Sequence, residues 1–399
     1  MLIKNIFMWI VVLATSALLA IGRIYDERLS INEFNLALFI SIVFLTIAFL
    51  LISNIKKIAF TKSKLLLYLF YLSILFSSPF LWYFFDYTEY GLEKFINFLL
   101  IVIPISIIVI EHYNVKYVTN TIYILLAVTF LLAILSTFGL FSSDRIDGRT
   151  ATLGGGPIVF ARWMGFGIIT LFLFPNNLRN LYKYILILFF LILAFSTGSR
   201  GPVFSLLLTF LLYIFLNFNK IIIKLSFVIV LLTSIFFFTD LERNISNIGN
   251  VDRVFMNISN NGTNIKSTST RKNLAEGSFM LIKNYPFGVG PGNWQTIANQ
   301  IRPTKLMPLE YPHNLFLEVA CEYGIHTLII LILLFIYIFY LSYNKMLSYN
   351  KNKSSLYPFL FYLLFFLSIN SLISVMLTDS RLLFIVISFL LINKPLVKS

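Results

Sequence analysis

Apolar residues run along this chain in long blocks divided by short polar breaks. The blocks fall near 3–21, 35–53, 65–85, 95–110, 121–140, 158–175, 182–197, 201–217, 221–239, 314–343, 357–377 and 381–393. A helix of about 17–25 apolar residues is long enough to cross the hydrocarbon of a bilayer. The pattern therefore predicts an all-α integral membrane protein with about twelve transmembrane helices. The blocks at 182–197 and 201–217 are split only by Thr197-Gly198-Ser199-Arg200, which predicts a very tight turn. The last block is short, as a tilted or partly re-entrant helix would be. The first resembles a signal peptide, but its n-region has one Lys and its apolar run is long, so it reads as a retained helix.

One break is long. Residues 1–239 carry the first nine predicted spans, 240–312 form the single large hydrophilic loop, and 313–399 carry the last three, all in one membrane domain. Inside the loop, Asn244 to Thr270 is rich in Asn, Ser, Thr and Gly and reads as flexible. From Thr270 to Ile301, apolar spacing at Leu274, Phe279, Leu281 and Ile282 predicts an amphipathic helix. The breakers Pro286, Gly288, Gly290, Pro291 and Gly292 follow.

Composition agrees: 58% of the 399 residues are hydrophobic and 12% are charged. The net charge of +14 could point to nucleic acid, but the basic residues lie in short clusters between apolar blocks, not along one polar face. Such clusters mark cytoplasmic helix ends. With the N-terminus inside, the inner ends hold Lys56, Lys57, Lys62, Lys64, Lys345, Lys351 and Lys353, and an even number of spans returns the C-terminus to the same side. The outer loops carry fewer cations, Lys94 among them, and most of these are Arg: Arg145, Arg149, Arg162, Arg200, Arg381. Arg offers a planar fork of donors that suits phosphate and carboxylate. Cys321 is the sole cysteine, which excludes a disulfide within the chain and any Cys/Cys metal site.

The inner loops are too short for a nucleotide-binding domain, and no Walker A pattern occurs. Gly288-Val289-Gly290-Pro291-Gly292 lacks the strand and helix of a dinucleotide fingerprint and reads as a close-packed turn. Chemistry is therefore expected on the outer side. Arg200 sits between two spans, where a snorkelling helix anchor is the plainer alternative. Arg271 opens the amphipathic stretch of the loop, where a solvated charge is the plainer alternative. His313, in Tyr311-Pro312-His313-Asn314, precedes a long apolar helix; it suits proton transfer near neutral pH, or caps and packs. Glu318, Glu322 and His326 follow at steps of four, on one stripe. That stripe reads as a polar seam facing the protein interior, or as a proton or ion path. No cofactor and no metal set is expected.

Three separated motifs together resemble the bacterial O-antigen ligase and polymerase superfamily. They are Ser199-Arg200-Gly201 at a helix start; Arg271, a helical stretch and Asn284-Tyr285-Pro286-Phe287-Gly288-Val289-Gly290; and His313-Asn314 followed by Gly324-Ile325-His326-Thr327. The resemblance spans roughly residues 145–380, and residues 1–120 share only general hydropathy. It implies a GT-C-like, metal-independent membrane glycosyltransferase of the bacterial inner membrane, with both termini cytoplasmic, a periplasmic active site and one long, partly helical periplasmic loop. It implies a donor glycan on undecaprenyl diphosphate, membrane lipid as surroundings, and a chain-length regulator as a possible partner.

Carried over by position, Arg200 and Arg271 match the arginines that hold the donor diphosphate, and His313 the residue proposed to activate the acceptor hydroxyl. Asn314, Arg145, Arg149, Arg162 and Glu318 are expected to contact substrate, with an exposed Trp163 beside the Arg-rich loop. The Arg149-to-Pro157 stretch and the Pro286-to-Gly292 stretch look more polymerase-like than ligase-like. A ligase, a protein O-oligosaccharyltransferase, and a transporter or lipid flippase using the Glu318/Glu322/His326 stripe are the alternatives.

Overall fold

A computed structural model describes residues 2–25, 29–31, 34–53, 61–139, 156–175, 178–217, 263–301, 311–350 and 356–392. Their regular structure is helical, apart from one antiparallel ladder of two residues a side, Ser30–Ile31 with Phe34–Asn35. In chain order the helices are α1 Leu2–Ile21, α2 Leu36–Ser53, α3 Lys62–Phe85, α4 Glu89–His112, α5 Val115–Thr137, α6 Pro157–Leu173 and α7 Asn180–Ser196. There follow α8 Arg200–Asn217, α9 Thr263–Asn284, α10 Trp294–Ile301, α11 Leu315–Tyr323, α12 Ile325–Asn350, α13 Leu356–Ile373 and α14 Arg381–Leu390.

Among the described residues, seven helices are long and apolar enough to cross a membrane: α2, α3, α4, α5, α8, α12 from Ile325 to Ser348, and α13. Ile6–Ile21 of α1, with α6 and α7, are shorter apolar helices. The predicted span at 221–239 lies outside the described residues.

Helix α4 contains a single π turn, Phe98–Val102, where the Ile103 N–H bonds to the Phe98 carbonyl. Pro104 follows at once. Its ring would strike the carbonyl four residues back in a regular helix, and widening the turn relieves that clash.

The predicted span at 314–343 is not one helix. Gly324, at φ +90°, ends α11, and α12 starts afresh at Ile325. Glu322, Gly324 and His326 interrupt the apolar run here, but the predicted block carries through them. The main chain of 286–290 lies across it and replaces the missing helical hydrogen bonds. The Val289 N–H donates to the Cys321 carbonyl (3.0 Å), the Gly290 N–H to the Glu322 carbonyl (2.9 Å), and the Ile325 N–H to the Pro286 carbonyl (2.8 Å). Backbone groups buried in an apolar body need such partners. A Cβ at Gly324 would stand 2.4 Å from the Phe287 carbonyl oxygen, so only glycine permits the approach.

The chain divides into two compact units. The first comprises Met1–Ala127, Asn273–Lys351 and Ser371–Ser399; the second comprises Val128–Lys272 and Asn352–Asn370. In the first unit α3 packs on α12, α4 on α14, and α1 on α2. At one end of this unit Lys64 pairs with Glu111 at 2.6 Å, and Lys345 donates to the Leu390 carbonyl at 2.6 Å, closing the end of α14. Arg381, predicted as an outer-loop cation, is buried; its Nε donates to the Leu19 carbonyl at 2.6 Å, where the last carbonyls of α1 lack helical partners.

In the second unit α6 packs along α7 and α8. Gly165 and Gly167 of α6 make room for rings: a Cβ at Gly165 would meet Phe366 at 2.4 Å, and one at Gly167 would meet Phe190 at 2.7 Å.

The loop helix begins earlier than the pattern predicts. Helix α9 starts at Thr263, inside the stretch read as flexible, while 244–262 lie outside the described residues. Leu274 and Leu281 of α9 join Val289, Trp294, Ile297, Ala298 and Cys321 in a small core. Phe279, predicted on the same inner face, points outward.

Candidate functional site

His313 and Asn314 open α11 in the first unit. Asn314 caps the helix: its side-chain oxygen accepts from the N–H groups of Phe316 (2.9 Å) and Leu317 (3.1 Å). Its amide nitrogen donates to the Leu372 carbonyl at 2.9 Å, tying the cap to the last turn of α13. His313 has φ +53°, the left-handed region that costs a non-glycine residue energy. Such strain persists where the surroundings impose it, and it gathers at sites that act on ligands. The His313 ring lies 4.1 Å, centroid to centroid, from Tyr311.

A buried charge cluster sits one and two turns further on. Glu318 and Glu322, four residues apart on one face of α11, both close on Lys94 of α4. Lys94 Nζ lies 2.5 Å from Glu318 Oε1, and 2.8 and 2.7 Å from the two oxygens of Glu322. All three side chains are buried. Glu318 Oε2 accepts from the Leu377 N–H at 2.9 Å, and Glu322 Oε1 from the Gly292 N–H at 3.1 Å.

The cluster thereby fastens four parts of the unit together: α4, α11, the glycine-rich loop and the turn before α14. Within that loop a Cβ on Gly292 would stand 2.4 Å from Gly91 Cα, so the main chain reaches the base of α4 only as glycine. Two carboxylates on one ammonium leave an excess negative charge in a buried place. That is costly unless every lone pair finds a donor, and the two backbone N–H groups supply part of that need.

Glu318 was expected to contact substrate. It has no surface open to solvent, and it faces Lys94 and the Leu377 N–H. Further along the stripe, Ser77 of α3 meets His326 Nε2 at 3.2 Å.

Arg200 belongs to the second unit. The tight turn predicted at 197–200 is present: Gly198 takes φ +61°, and the Thr197 hydroxyl accepts from the Ser199 N–H at 3.0 Å while donating to the Ala194 carbonyl at 2.7 Å. Arg200 is then the first residue of α8, half-buried. Arg162 is half-buried on α6. Trp163, expected to be exposed, is buried; it packs edge-on against Phe166, 5.7 Å away, and is not available to a ligand.

Arg271 lies on α9 by its backbone, and its side chain is outside the described residues. Arg145 and Arg149 also lie outside them. The structure thus gathers His313, Asn314 and Glu318 on one short element, and holds Arg200 and Arg162 in the other unit.

Sequence reading missed Lys94, counting it as an outer-loop charge. A signal was present: two carboxylates on one face of an apolar stretch require a cation, and Lys94 begins another apolar block. Among the described residues, no three His, Cys, Asp or Glu side chains are grouped as metal ligands would be.

Residues 185–332 match a family model described as O-Antigen ligase. The matched stretch runs from α7 into α12 and takes in Arg200, Arg271, the glycine-rich loop and the whole of α11. It agrees with the superfamily to which the arginine and histidine motifs point. No curated protein matches the chain.

Proposed function

We propose, taking the O-antigen ligase and polymerase relationship of residues 185–332 as premise, that this protein is a polymerase of O-antigen or a related surface polysaccharide. It transfers glycan from undecaprenyl diphosphate to the next lipid-linked repeat unit, at the periplasmic face of the bacterial inner membrane, on a GT-C-like helical scaffold. Both chain termini are cytoplasmic.

The acceptor hydroxyl gives its proton to His313 as its oxygen bonds to the anomeric carbon. The bond from that carbon to the diphosphate oxygen breaks, and undecaprenyl diphosphate leaves with the electron pair. Arg200 and Arg271 stabilise the charge that grows on the diphosphate, a task for fixed guanidinium groups that needs no metal. Asn314, Arg145, Arg149 and Arg162 contact the glycan chain. Glu318 serves by holding α11 and so His313.

The observation that carries this reading is the pairing of a strained His313 with a rigidly supported helix start, inside the stretch that matches the family. A transporter relaying protons along Glu318, Glu322 and His326 is disfavoured, because Glu318 and Glu322 are closed around Lys94. A ligase, which passes glycan to lipid A-core, shares every motif named and remains the second reading, supported by the description of the matched family.

Deletion of the gene with complementation separates the two. A polymerase mutant leaves lipid A-core bearing a single repeat, and Arg200→Ala, Arg271→Ala and His313→Ala fail to restore the ladder. A ligase mutant leaves bare lipid A-core and accumulates lipid-linked polymer. Full restoration by all three variants refutes the site.

A further inference from the structure

The outward side of the 279–287 segment carries large apolar side chains at both ends, with exposed Lys283 and Asn284 between them, although the segment belongs to the hydrophilic loop of the sequence. Phe279 is 63% exposed and Phe287 is 72% exposed, with Met280 exposed beside them. The inward side of α9 is already satisfied by the small core around Leu274, Leu281 and Trp294. Two large rings left open to water on a short segment are rare on a soluble surface and mark a contact.

What lies next to them identifies the contact. The Phe287 ring stands 6.4 Å from His326, and His326 meets Ser77 of α3. Ser77 is eight residues before the end of α3, so Phe287 stands beside a level about 12 Å inside the end of a membrane-crossing helix, at 1.5 Å per residue. Phe80 and Phe84 share the Ser77 face of α3 by helical spacing; both are exposed, and their rings are 5.1 Å apart. A helix that crosses the membrane meets lipid with its exposed apolar face. Of the exposed side chains of 279–287, Phe287 stands beside this part of α3, through His326 and Ser77.

Higher up, Tyr285 packs edge-on on Phe85 at 5.3 Å, and Trp82 donates to the Pro291 carbonyl at 3.3 Å. Trp and Tyr favour the headgroup level. Exposed Lys283, one turn from Phe279, can reach the same level with its ammonium.

We infer that the segment 279–287 is seated in the bilayer, with Phe279, Met280 and Phe287 among the acyl chains of the leaflet on the side of the α3–α4 connection. The large loop is thus fastened to the membrane surface. A lipid-borne substrate would meet it at the interface without leaving the bilayer. The inference does not depend on glycosyl transfer, since it uses only the packing of the first unit.

The test uses the full-length protein in phosphatidylethanolamine/phosphatidylglycerol vesicles. Cys321, the sole cysteine, is buried, so Phe287→Cys and, separately, Phe279→Cys give single positions for an environment-sensitive fluorophore. Glu89→Cys, exposed at the start of α4, calibrates the aqueous signal. The inference expects blue-shifted emission at 279 and 287, lost with brominated acyl chains and insensitive to aqueous iodide. Quenching by iodide and not by brominated lipid at both positions overturns it. Shielding from both quenchers also overturns it, in favour of a protein partner on that face.

Discussion

Replacing Lys94 by Met removes the ammonium that, among the described residues, pairs with Glu318 and Glu322, and leaves two buried carboxylates facing each other's field. The ammonium lies 2.5 Å from one carboxylate and 2.7 Å from the other. At an effective dielectric constant of about 20, each such pair is attractive by about 6 kcal/mol. Most of that attraction is offset by stripping three charges of water. Removing one partner is a different matter, because the desolvation of the remaining ions is kept and the attraction is lost.

Breaking a buried pair in this way costs about 3–5 kcal/mol. In a cooperative body of 150–250 residues, about 2–4 °C is lost for each kcal/mol. Lys94→Met is therefore expected to lower the thermal midpoint of the detergent-solubilised protein by roughly 6–20 °C, read by tryptophan fluorescence or by loss of the monodisperse peak on size exclusion. The triple variant Lys94→Met, Glu318→Gln, Glu322→Gln removes all three charges and is expected to recover most of that loss, within about 1–2 kcal/mol of wild type. A Lys94→Met midpoint equal to that of wild type, or a triple variant no better than the single one, refutes the reasoning that the cluster holds the unit together by charge pairing.

Asn314→Ala removes two helix-cap hydrogen bonds and the bond to the Leu372 carbonyl; it is expected to cost about 0.5–2 kcal/mol, and polymer formation should fall while the protein still inserts, measured by thermal midpoint and by the surface-polysaccharide gel. Gly167→Val drives a Cβ to 2.7 Å from Phe190; a loss of about 1–3 kcal/mol from overpacking is expected, and Phe190→Ala in the same chain should recover part of it, checked by the same melting curve. Gly324→Ala forces a side chain onto the Phe287 carbonyl at φ +90°; the yield of folded protein should collapse, whereas Gly139→Ala, with open space around it, should be far milder.

Much of the membrane architecture could be read from the hydropathy pattern, because α2, α3, α5 and α13 each bury or expose apolar side chains all round. The 197–200 turn was legible for a different reason: Gly198 and the Thr197 hydroxyl supply the conformation and hydrogen bonds that a two-helix corner needs. The break at Gly324 was not legible, since its cause is the distant 286–290 main chain. Phe279 was misplaced because periodicity separates apolar from polar faces; it cannot separate a face toward protein from a face toward lipid. Trp163 was misjudged from its Arg and Gly neighbours in sequence, whereas its ring packs within the helical layer of α6. The Lys94 cluster joins residues more than two hundred positions apart, and no local window contains it.

The most direct test of the proposed activity uses the purified protein in vesicles with undecaprenyl-diphosphate-linked repeat units extracted from a strain lacking the gene. Products are resolved by gel, and released undecaprenyl diphosphate is followed by mass spectrometry. Wild type is expected to build a ladder of lipid-linked polymer with matching release of undecaprenyl diphosphate and without added metal. His313→Ala should give neither while keeping the wild-type melting midpoint. A ladder from folded His313→Ala equal to that of wild type, or no ladder from wild type until lipid A-core is supplied, would contradict the account.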